Sequence, residues 1–128
     1  MRHRIRLERD EGAFLARITP AQAAAHHRAL TFLRGRALGA TALAVQLGTS
    51  PETVDALAAR MAGAHQESFE IRLTLGELHV LHSALTATAI AFLERGMFSE
   101  EEFYREMNFY RENYDSLALG IVQAASEM

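Results

Sequence analysis

The chain has 128 residues, a formal net charge of −3 and no cysteine. This length fits a single domain, with a core large enough to need no disulfide or metal. The missing cysteines exclude disulfides, cysteine nucleophiles and thiolate metal ligands, and they favour a reducing compartment. No apolar run approaches the roughly 20 residues of a membrane-spanning helix. We therefore expect a cytoplasmic protein that contacts no membrane.

Charge is distributed unevenly along the chain. Residues 1–60 carry nine Arg and five acidic residues, whereas residues 61–128 carry four Arg and eleven acidic residues. The first half therefore has a balance of +4 and the second a balance of −7. Such asymmetry is typical of a nucleic-acid-binding half or of two halves that attract each other, although an ordinary solvated surface is the simplest explanation.

Three short segments alternate apolar and polar residues with the period of a β-strand. The turn residues Asp10-Glu11-Gly12 separate the first two segments, so we predict an N-terminal hairpin and a third strand further along the chain. The apolar residues of the three segments are Ile5 and Leu7, then Phe14, Ala16 and Ile18, then Phe69, Ile71 and Leu73.

Four capping sequences predict four helices. In each, a Ser or Thr that can accept a backbone N–H is followed by proline, or by an acid or amide three residues later. Gly35 and Gly39 lie inside the first helix, where they either break it near Arg34 or let a neighbouring helix pack closely. The predicted helices run from Pro20 to Leu47, from Pro51 to about Ala64, from Leu75 to Gly96 and from Ser99 to Glu127.

Two stretches of the chain are similar at an offset of 55 residues. Arg17–Thr31 and Arg72–Thr86 share six of fifteen residues, and in both a short strand precedes a capped helix. We interpret this as a duplicated strand-helix-helix unit, covering about residues 12–65 and 67–127. Each unit is too small to bury its own apolar faces, so the two should close on each other about a pseudo-twofold axis.

The stretch LAVQLGTSPETVDALAARM, residues 43–61, resembles the helix-turn-helix signature of many bacterial regulators. Ala44 matches the small residue of the first helix, Gly48 the turn, and Val54 and Leu57 the inner face of the second helix. The resemblance implies that the second helix enters the major groove of DNA. The residues that would then contact DNA are Thr53, Arg60, Arg4 and Arg6.

The start of that second helix argues against DNA binding. Glu52 and Asp55 are acidic and repel phosphate, and the first arginine, Arg60, comes late. A simpler interpretation is a corner between two helices, in which glycine ends one helix and Ser50-Pro51 starts the next. Its inner residues are then apolar because they are buried. We keep DNA binding as an alternative.

Six histidines raise a second alternative, a ligand or metal site. His27 and His82 occupy matching positions of the repeat, and His79 lies three residues before His82 on the same helix face. Across a pseudo-twofold axis, these side chains would converge on a small ligand or metal. Histidines that hydrogen-bond to neighbours are the favoured explanation of the pattern, because a metal site needs three or four placed ligands. We therefore predict no metal and no cofactor.

The predicted last helix concentrates the aromatic residues. Six of the ten aromatic residues lie between Phe98 and Tyr114. A continuous helix over 99–127 would be about 43 Å long, whereas a domain of this size is only about 36 Å wide. Part of the helix should therefore contact a partner, and Tyr-rich faces are typical of interfaces. The predicted interface residues are Tyr104, Phe109, Tyr110 and Tyr114.

The fold that these patterns predict is α+β and mainly α, with an N-terminal β-hairpin, a third short strand and four helices in two related units. The sequence has no nucleophile motif, phosphate-binding loop or dinucleotide fingerprint. We therefore predict a non-enzymatic interaction or accessory module that forms a homodimer through the last helix and has room for a further protein partner. The alternatives are a DNA-binding regulator and a protein that binds a small ligand or metal through paired histidines.

Overall fold

Three strands and six helices make up the part of the chain that the structure describes. The computed structural model describes residues 3–36, 38–63, 65–94 and 99–128, without the side chains of residues 93 and 94. No helix within these ranges is long and apolar enough to cross a bilayer. The predicted class, mainly helical α+β with an N-terminal hairpin and a third strand, is confirmed. In chain order the elements are β1 (Arg6–Asp10), β2 (Ala13–Ile18), α1 (Pro20–Arg34), α2 (Gly39–Leu47), α3 (Pro51–Met61), β3 (Phe69–Leu73), α4 (Leu75–Glu94), α5 (Glu100–Met107) and α6 (Arg111–Ser126).

The sheet has the order β1-β2-β3, and both strand pairs are antiparallel. Its side chains alternate as the sequence predicts. Ala16, Ile18 and Leu73 are fully buried on the inner face, whereas Arg17 and Arg72 are exposed on the outer face. One face therefore packs against helices while the other carries charges, as is usual for an antiparallel sheet.

The predicted N-terminal caps are present at the helix starts. Thr19 and Gln22 exchange two hydrogen bonds between side chain and backbone at the start of α1, and Thr74 and Glu77 do the same at α4. These bonds satisfy backbone N–H groups that a helix start leaves unpaired, which is why the sequence located the starts well. Single hydroxyl caps at α3 and α5 come from Ser50 and Ser99.

Two of the four predicted helices are broken, so the predicted number of helices is wrong. The first ends at Arg34, and α2 begins at Gly39, whose φ of +85° interrupts the helical path. The last is divided at Asn108, whose φ of +62° ends α5, so the continuous last helix is wrong as well. The helix from Pro51 ends at Met61. The stop predicted at Gly96 lies outside the described residues.

The chain repeats one order of elements about a pseudo-twofold axis at the β2–β3 pair. Each unit is a strand followed by three helices, so the predicted unit of a strand and two helices is wrong in its number of helices. β2 and β3 pair with Ala16 opposite Ile71, and these two residues are also 55 positions apart, the offset of the sequence repeat. α1 packs on α3 as α4 packs on α6, and α2 contacts α4 as α5 contacts α1. Each unit therefore packs its middle helix against the first helix of the other unit, which buries apolar faces across the axis.

The two helix corners, α2–α3 and α5–α6, match at an offset of 60 residues. In each, a left-handed residue ends the first helix, Gly48 or Asn108, and the second helix begins just after Ser50 or Tyr110. The offset grows from 55 to 60 because α4 has 20 residues and α1 has 15. The matching buried residues are Leu43 and Phe103, Leu47 and Met107, Val54 and Tyr114, Leu57 and Leu117, Ala58 and Ala118, and Met61 and Ile121.

A row of aromatic rings ties the second corner to the first helix of each unit. Phe32 of α1 stacks on Phe92 of α4 with 5.0 Å between ring centroids, and Phe92 contacts Phe103 of α5 at 4.7 Å. Phe103 meets Tyr114 of α6 edge-on at 5.5 Å. Such contacts add about 0.5–1.5 kcal/mol each beyond the area they bury. The α5–α6 corner is therefore anchored on two other helices, α1 and α4.

The N-terminal segment breaks the symmetry. It adds β1 along the outer edge of β2. Among the described residues, no strand pairs with the outer edge of β3. His3 and Arg4 cross α6 at Gly120, where a Cβ atom would lie 3.1 Å from Arg4 Cα and would overlap the His3 carbonyl. The equivalent residue of α3 is Arg60, whose guanidinium instead donates to the Glu77 carboxylate at 2.8 Å.

Candidate functional site

Two exposed tyrosines lie side by side at the α5–α6 corner. Tyr104 is on α5 and Tyr110 directly precedes α6, and their ring centroids are 4.6 Å apart. They remain 42% and 46% exposed. The left-handed Asn108 ends α5 between them, which lets the chain turn and brings the two rings together. Phe109, between Asn108 and Tyr110, is half-buried. We term Tyr104, Phe109 and Tyr110 the tyrosine surface.

Tyr114, the fourth predicted interface residue, belongs to the core instead. It is fully buried between Phe103 and Phe109, with ring centroids at 5.5 and 6.0 Å. Its burial raises the pKa of its hydroxyl well above the ordinary value. The prediction placed Tyr114 on a partner surface because it assumed an unbroken helix. The break at Asn108 instead gives two shorter helices, and α6 packs on α4, so Tyr114 lies in the core.

The tyrosine surface has an acidic surround. Residues 99–128 contain seven acidic residues and two arginines. Both arginines are near carboxylates of α5, with Arg105 3.6 Å from Glu101 and Arg111 3.7 Å from Glu100. Such exposed pairs contribute little to stability, but they neutralise part of the local positive charge. Carboxylates therefore outnumber arginines in the chain around the two exposed aromatic rings.

A cavity of about 420 Å³ lies beside the tyrosine surface, between α1, the end of α3 and the second corner. Ala24 lines it near Asn108. The equivalent residue on α4 is His79, whose ring fills the matching space 3.8 Å from a Cβ placed at Gly48. Alanine at position 24 therefore leaves space at the cavity where the equivalent position of α4 carries a histidine ring. Its other lining residues include His27, Arg28, Met61, Arg105, Met107 and Phe109.

Arg28, beside this cavity, connects α1 to the end of α5. Its Nε and Nη2 donate to the Glu106 carbonyl at 3.2 and 2.8 Å. That carbonyl lies in the last turn of α5, where backbone acceptors have no partner within the helix and a cation is favourable. The polar groups that line the cavity alongside it are His27, Arg105 and Asn108.

The predicted histidines lie at different depths. His27 and His82 are half-buried, and His79 is exposed, with Nε2 3.4 Å from the Ser83 hydroxyl. Among the described residues, no three His, Asp or Glu side chains are grouped closely enough to hold a metal ion. His27 is the one of the three that lines the cavity beside the tyrosine surface.

His26, to which we assigned no role from the sequence, is the histidine that lies in the core. It is 1% exposed, and neither ring nitrogen has a hydrogen-bond partner among the described residues. Its burial lowers its pKa to about 4, because the charged imidazolium is poorly solvated there. The equivalent residue on α4 is Leu81, also buried. Comparison of the two repeat copies, which aligns position 26 with Leu81, is the signal that could have identified it as a core position.

The residues predicted to contact DNA are dispersed. Arg60 donates to Glu77, and Arg4 forms an ion pair with Glu127 at the end of α6. Arg6 lies on β1, at the opposite edge of the sheet from β3. Thr53 is half-buried in the first turn of α3, where its backbone N–H donates to the Ser50 hydroxyl that caps the helix.

The acid predicted to oppose DNA binding, Asp55, pairs with Arg34 of α1, its Oδ1 2.9 Å from Arg34 Nε. The pair joins α3 to α1, so both charges serve packing between helices. No protein-family model, curated protein or solved structure matches this chain.

Proposed function

We propose that the protein is a non-enzymatic interaction module that binds a basic segment of a partner protein at the tyrosine surface. The observation that carries this proposal is the pair of exposed tyrosine rings held 4.6 Å apart on a corner anchored in the core. Tyrosine offers a large, amphipathic contact area and loses little rotamer entropy on binding. The equivalent residues of the first corner are Ala44 and Ser50, so the ring pair is not required by the fold.

A basic partner suits the charges at this corner. Glu101, Glu112 and Asp115 are exposed on α5 and the start of α6. Lys or Arg of a partner would be attracted by these carboxylates and could stack on the faces of Tyr104 and Tyr110. The cavity beside Phe109 offers a pocket for an apolar side chain of the same segment.

The same charges argue against the second copy as the partner at this surface. A twofold contact would place the acidic surround of one copy against that of the other, and like charges in contact are unfavourable. We therefore do not place the contact of the predicted homodimer at the tyrosine surface. The absence of cysteine remains our reason to place the module in the cytoplasm.

The first corner supplies the variant that tests this proposal. Tyr104→Ala with Tyr110→Ser copies Ala44 and Ser50, and serine is a favourable residue at a helix N-cap. Binding of fluorescent basic, neutral and acidic 15-residue peptides would be measured by polarisation. We expect selective binding of basic peptides, weakened at least about tenfold in the variant, since interface tyrosines often contribute 2 kcal/mol or more.

The matched control is Val122→Ser, at a residue that is 51% exposed on α6 and outside the tyrosine surface. It should leave peptide binding unchanged. Equal binding of acidic and basic peptides, or an unchanged affinity in the double variant, would contradict the proposal. Circular dichroism of both variants would establish that their helices are intact.

A small-molecule ligand in the cavity is the second candidate function, supported by its volume of about 420 Å³ and by His27, Arg105 and Asn108 in its lining. These side chains suit a compound that carries a carboxylate or phosphate. Such a ligand should raise the melting temperature of the protein, and His27→Ala should abolish the rise. A screen of small anions in which no melting temperature moves would count against it.

DNA binding remains the further alternative, and it rests on the first corner alone. It predicts selective retention of genomic DNA fragments at physiological salt, with an affinity that falls steeply as salt rises. Arg60→Ala would also remove the Glu77 contact, so Thr53→Ala is the cleaner variant. Equal retention of all fragments, or none at physiological salt, would leave the corner as a structural element.

A further inference from the structure

The two middle helices, α2 and α5, occupy equivalent places but expose different chemistry. The exposed face of α5 carries Glu100, Glu101, Tyr104 and Arg105. At an offset of 60 residues, the exposed face of α2 carries Ala40, Thr41, Ala44 and Val45. Val45 is 84% exposed, which is the highest exposed fraction of any large apolar side chain in the described part of the chain. α2 contains no charged residue at all.

The outer face of α4 continues this pattern. Between Leu78 and Leu93 the sequence has no Asp, Glu, Lys or Arg. A helical line at spacings of four and three residues runs along the face, and all its members but the half-buried Ser83 are exposed. Ile90 in this line is 57% exposed. The line consists of His79, Ser83, Thr86 and Ile90. Its equivalent on α1 contains Arg28.

The two uncharged faces adjoin. α2 packs on α4, and a Cβ placed at Gly48, which ends α2, would lie 3.8 Å from His79 Cδ2, at the start of the α4 line. We term the uncharged outer residues of α2, together with the α4 line, the neutral face. It comprises Ala40, Thr41, Ala44 and Val45 of α2 with His79, Ser83, Thr86 and Ile90 of α4.

We propose that the neutral face is the interface between two copies of this chain. A twofold contact places the same residues of both copies against each other, so a face without charges pairs with itself without repulsion. Covering it desolvates no carboxylate or guanidinium, which is the main cost of burying a surface such as that of α5. The charged and acidic surfaces elsewhere on the chain are poorer complements to it.

The size of the neutral face indicates a reversible dimer. Its α2 part is about 14 Å long and its α4 part about 17 Å, and packed helices lie about 8–10 Å apart. Such a face falls short of the roughly 800 Å² per partner of a standard stable interface. We therefore expect dimerisation that depends on protein concentration in the micromolar range, independent of whatever binds the tyrosine surface.

The test is the mass of the purified full chain by sedimentation equilibrium, from about 1 to 500 μM. Val45→Arg installs on α2 the residue that α5 has at the equivalent position, and Ile90→Arg places the same charge on α4. We expect the unmodified chain to move from monomer to dimer over this range. Both variants should stay monomeric, with unchanged circular dichroism and melting temperature at low concentration.

Two control variants locate the contact. Arg105→Val makes the reverse change on α5, and Tyr104→Ala with Tyr110→Ser removes the tyrosine surface. Both should dimerise as the unmodified chain does. A chain that stays monomeric up to 500 μM would overturn the proposal, and so would a dimer that survives Val45→Arg or is lost with the tyrosines.

Discussion

His26 is a polar residue at a core position that the other half of the molecule fills with Leu81. A buried imidazole without a hydrogen-bond partner costs about 1–3 kcal/mol. We therefore expect His26→Leu to raise the free energy of unfolding at pH 7 by about 1–2 kcal/mol, with the gain reduced if the longer branched side chain must repack. Urea denaturation followed by circular dichroism measures the difference.

The same residue should make stability depend on pH. Its pKa is about 4 in the folded chain and near 6.5 when unfolded, so below pH 6.5 the unfolded chain takes up the proton more readily. Stability is then lost as pH falls from about 6.5 to 4, by about 3 kcal/mol from this group. His26→Leu should flatten the curve of unfolding free energy against pH in that window. A curve that keeps its slope in His26→Leu would contradict this prediction.

Gly120 is required by a close approach of the backbone. A methyl group there would overlap the His3 carbonyl, and a backbone segment yields less easily than a side chain. We expect Gly120→Ala to lower the free energy of unfolding by about 1–3 kcal/mol, since overpacking forces local shifts. Gly76→Ala is the matched control, because a Cβ there meets only Thr74 Oγ1, at 3.8 Å. It should stabilise α4 by about 0.5–1 kcal/mol.

At the scale of elements, the helix starts were predictable and the break after Arg34 was one of two alternatives, whereas the break at Asn108 was not predicted. Thr19 and Thr74 identify the starts of their helices, because each accepts a hydrogen bond from a backbone N–H only three residues away. The buried residues Phe103, Met107, Tyr114 and Leu117 keep helical spacing across the break, because both helices bury one side against the same core. Periodicity alone cannot distinguish this arrangement from one long helix. Asn108 was the available signal, since asparagine tolerates the left-handed region.

The two left-handed helix ends invite a paired experiment. Gly48→Ala places a side chain at a φ of +72°, and we expect a loss of about 1 kcal/mol in unfolding free energy. Asn108→Gly relieves the same strain at a φ of +62°, so it should be neutral or slightly stabilising. Thermal melts of both variants measure this. If Gly48→Ala costs nothing, the first corner does not depend on its left-handed residue.

At the scale of the whole molecule, the reciprocal packing of the two units predicts a single unfolding transition. α2 packs on α4 of the second unit and α5 packs on α1 of the first, so separating the two units would expose apolar side chains of both. All three tyrosines lie in the second unit and the chain has no tryptophan. Tyrosine fluorescence therefore reports one unit, whereas circular dichroism reports both. We expect their urea transitions to coincide, and separate midpoints would show that the units unfold independently.

The candidate surfaces were only partly visible in the sequence. The aromatic surplus indicated Tyr104 and Tyr110, which are exposed, but it also included Tyr114, which is buried. The neutral face was missed, although a chain without charges from residue 37 to 51 was in view. Its meaning depends on which residues of α2 are exposed. That follows only from how α2 packs on α4, a contact between distant parts of the chain.

Under the dimer that we propose, charges on α5 limit how far the chain can assemble. A molecule with a self-complementary face on each of its two related halves would bind one neighbour on either side, and repeated contacts of that kind extend into a filament. Because only α2 is uncharged, while Glu100, Glu101 and Arg105 cover the equivalent helix, each copy has one such face to offer. In the proposed dimer, assembly through this face therefore closes at two copies. The sequence difference between two otherwise equivalent helices would then decide between a closed dimer and an open polymer.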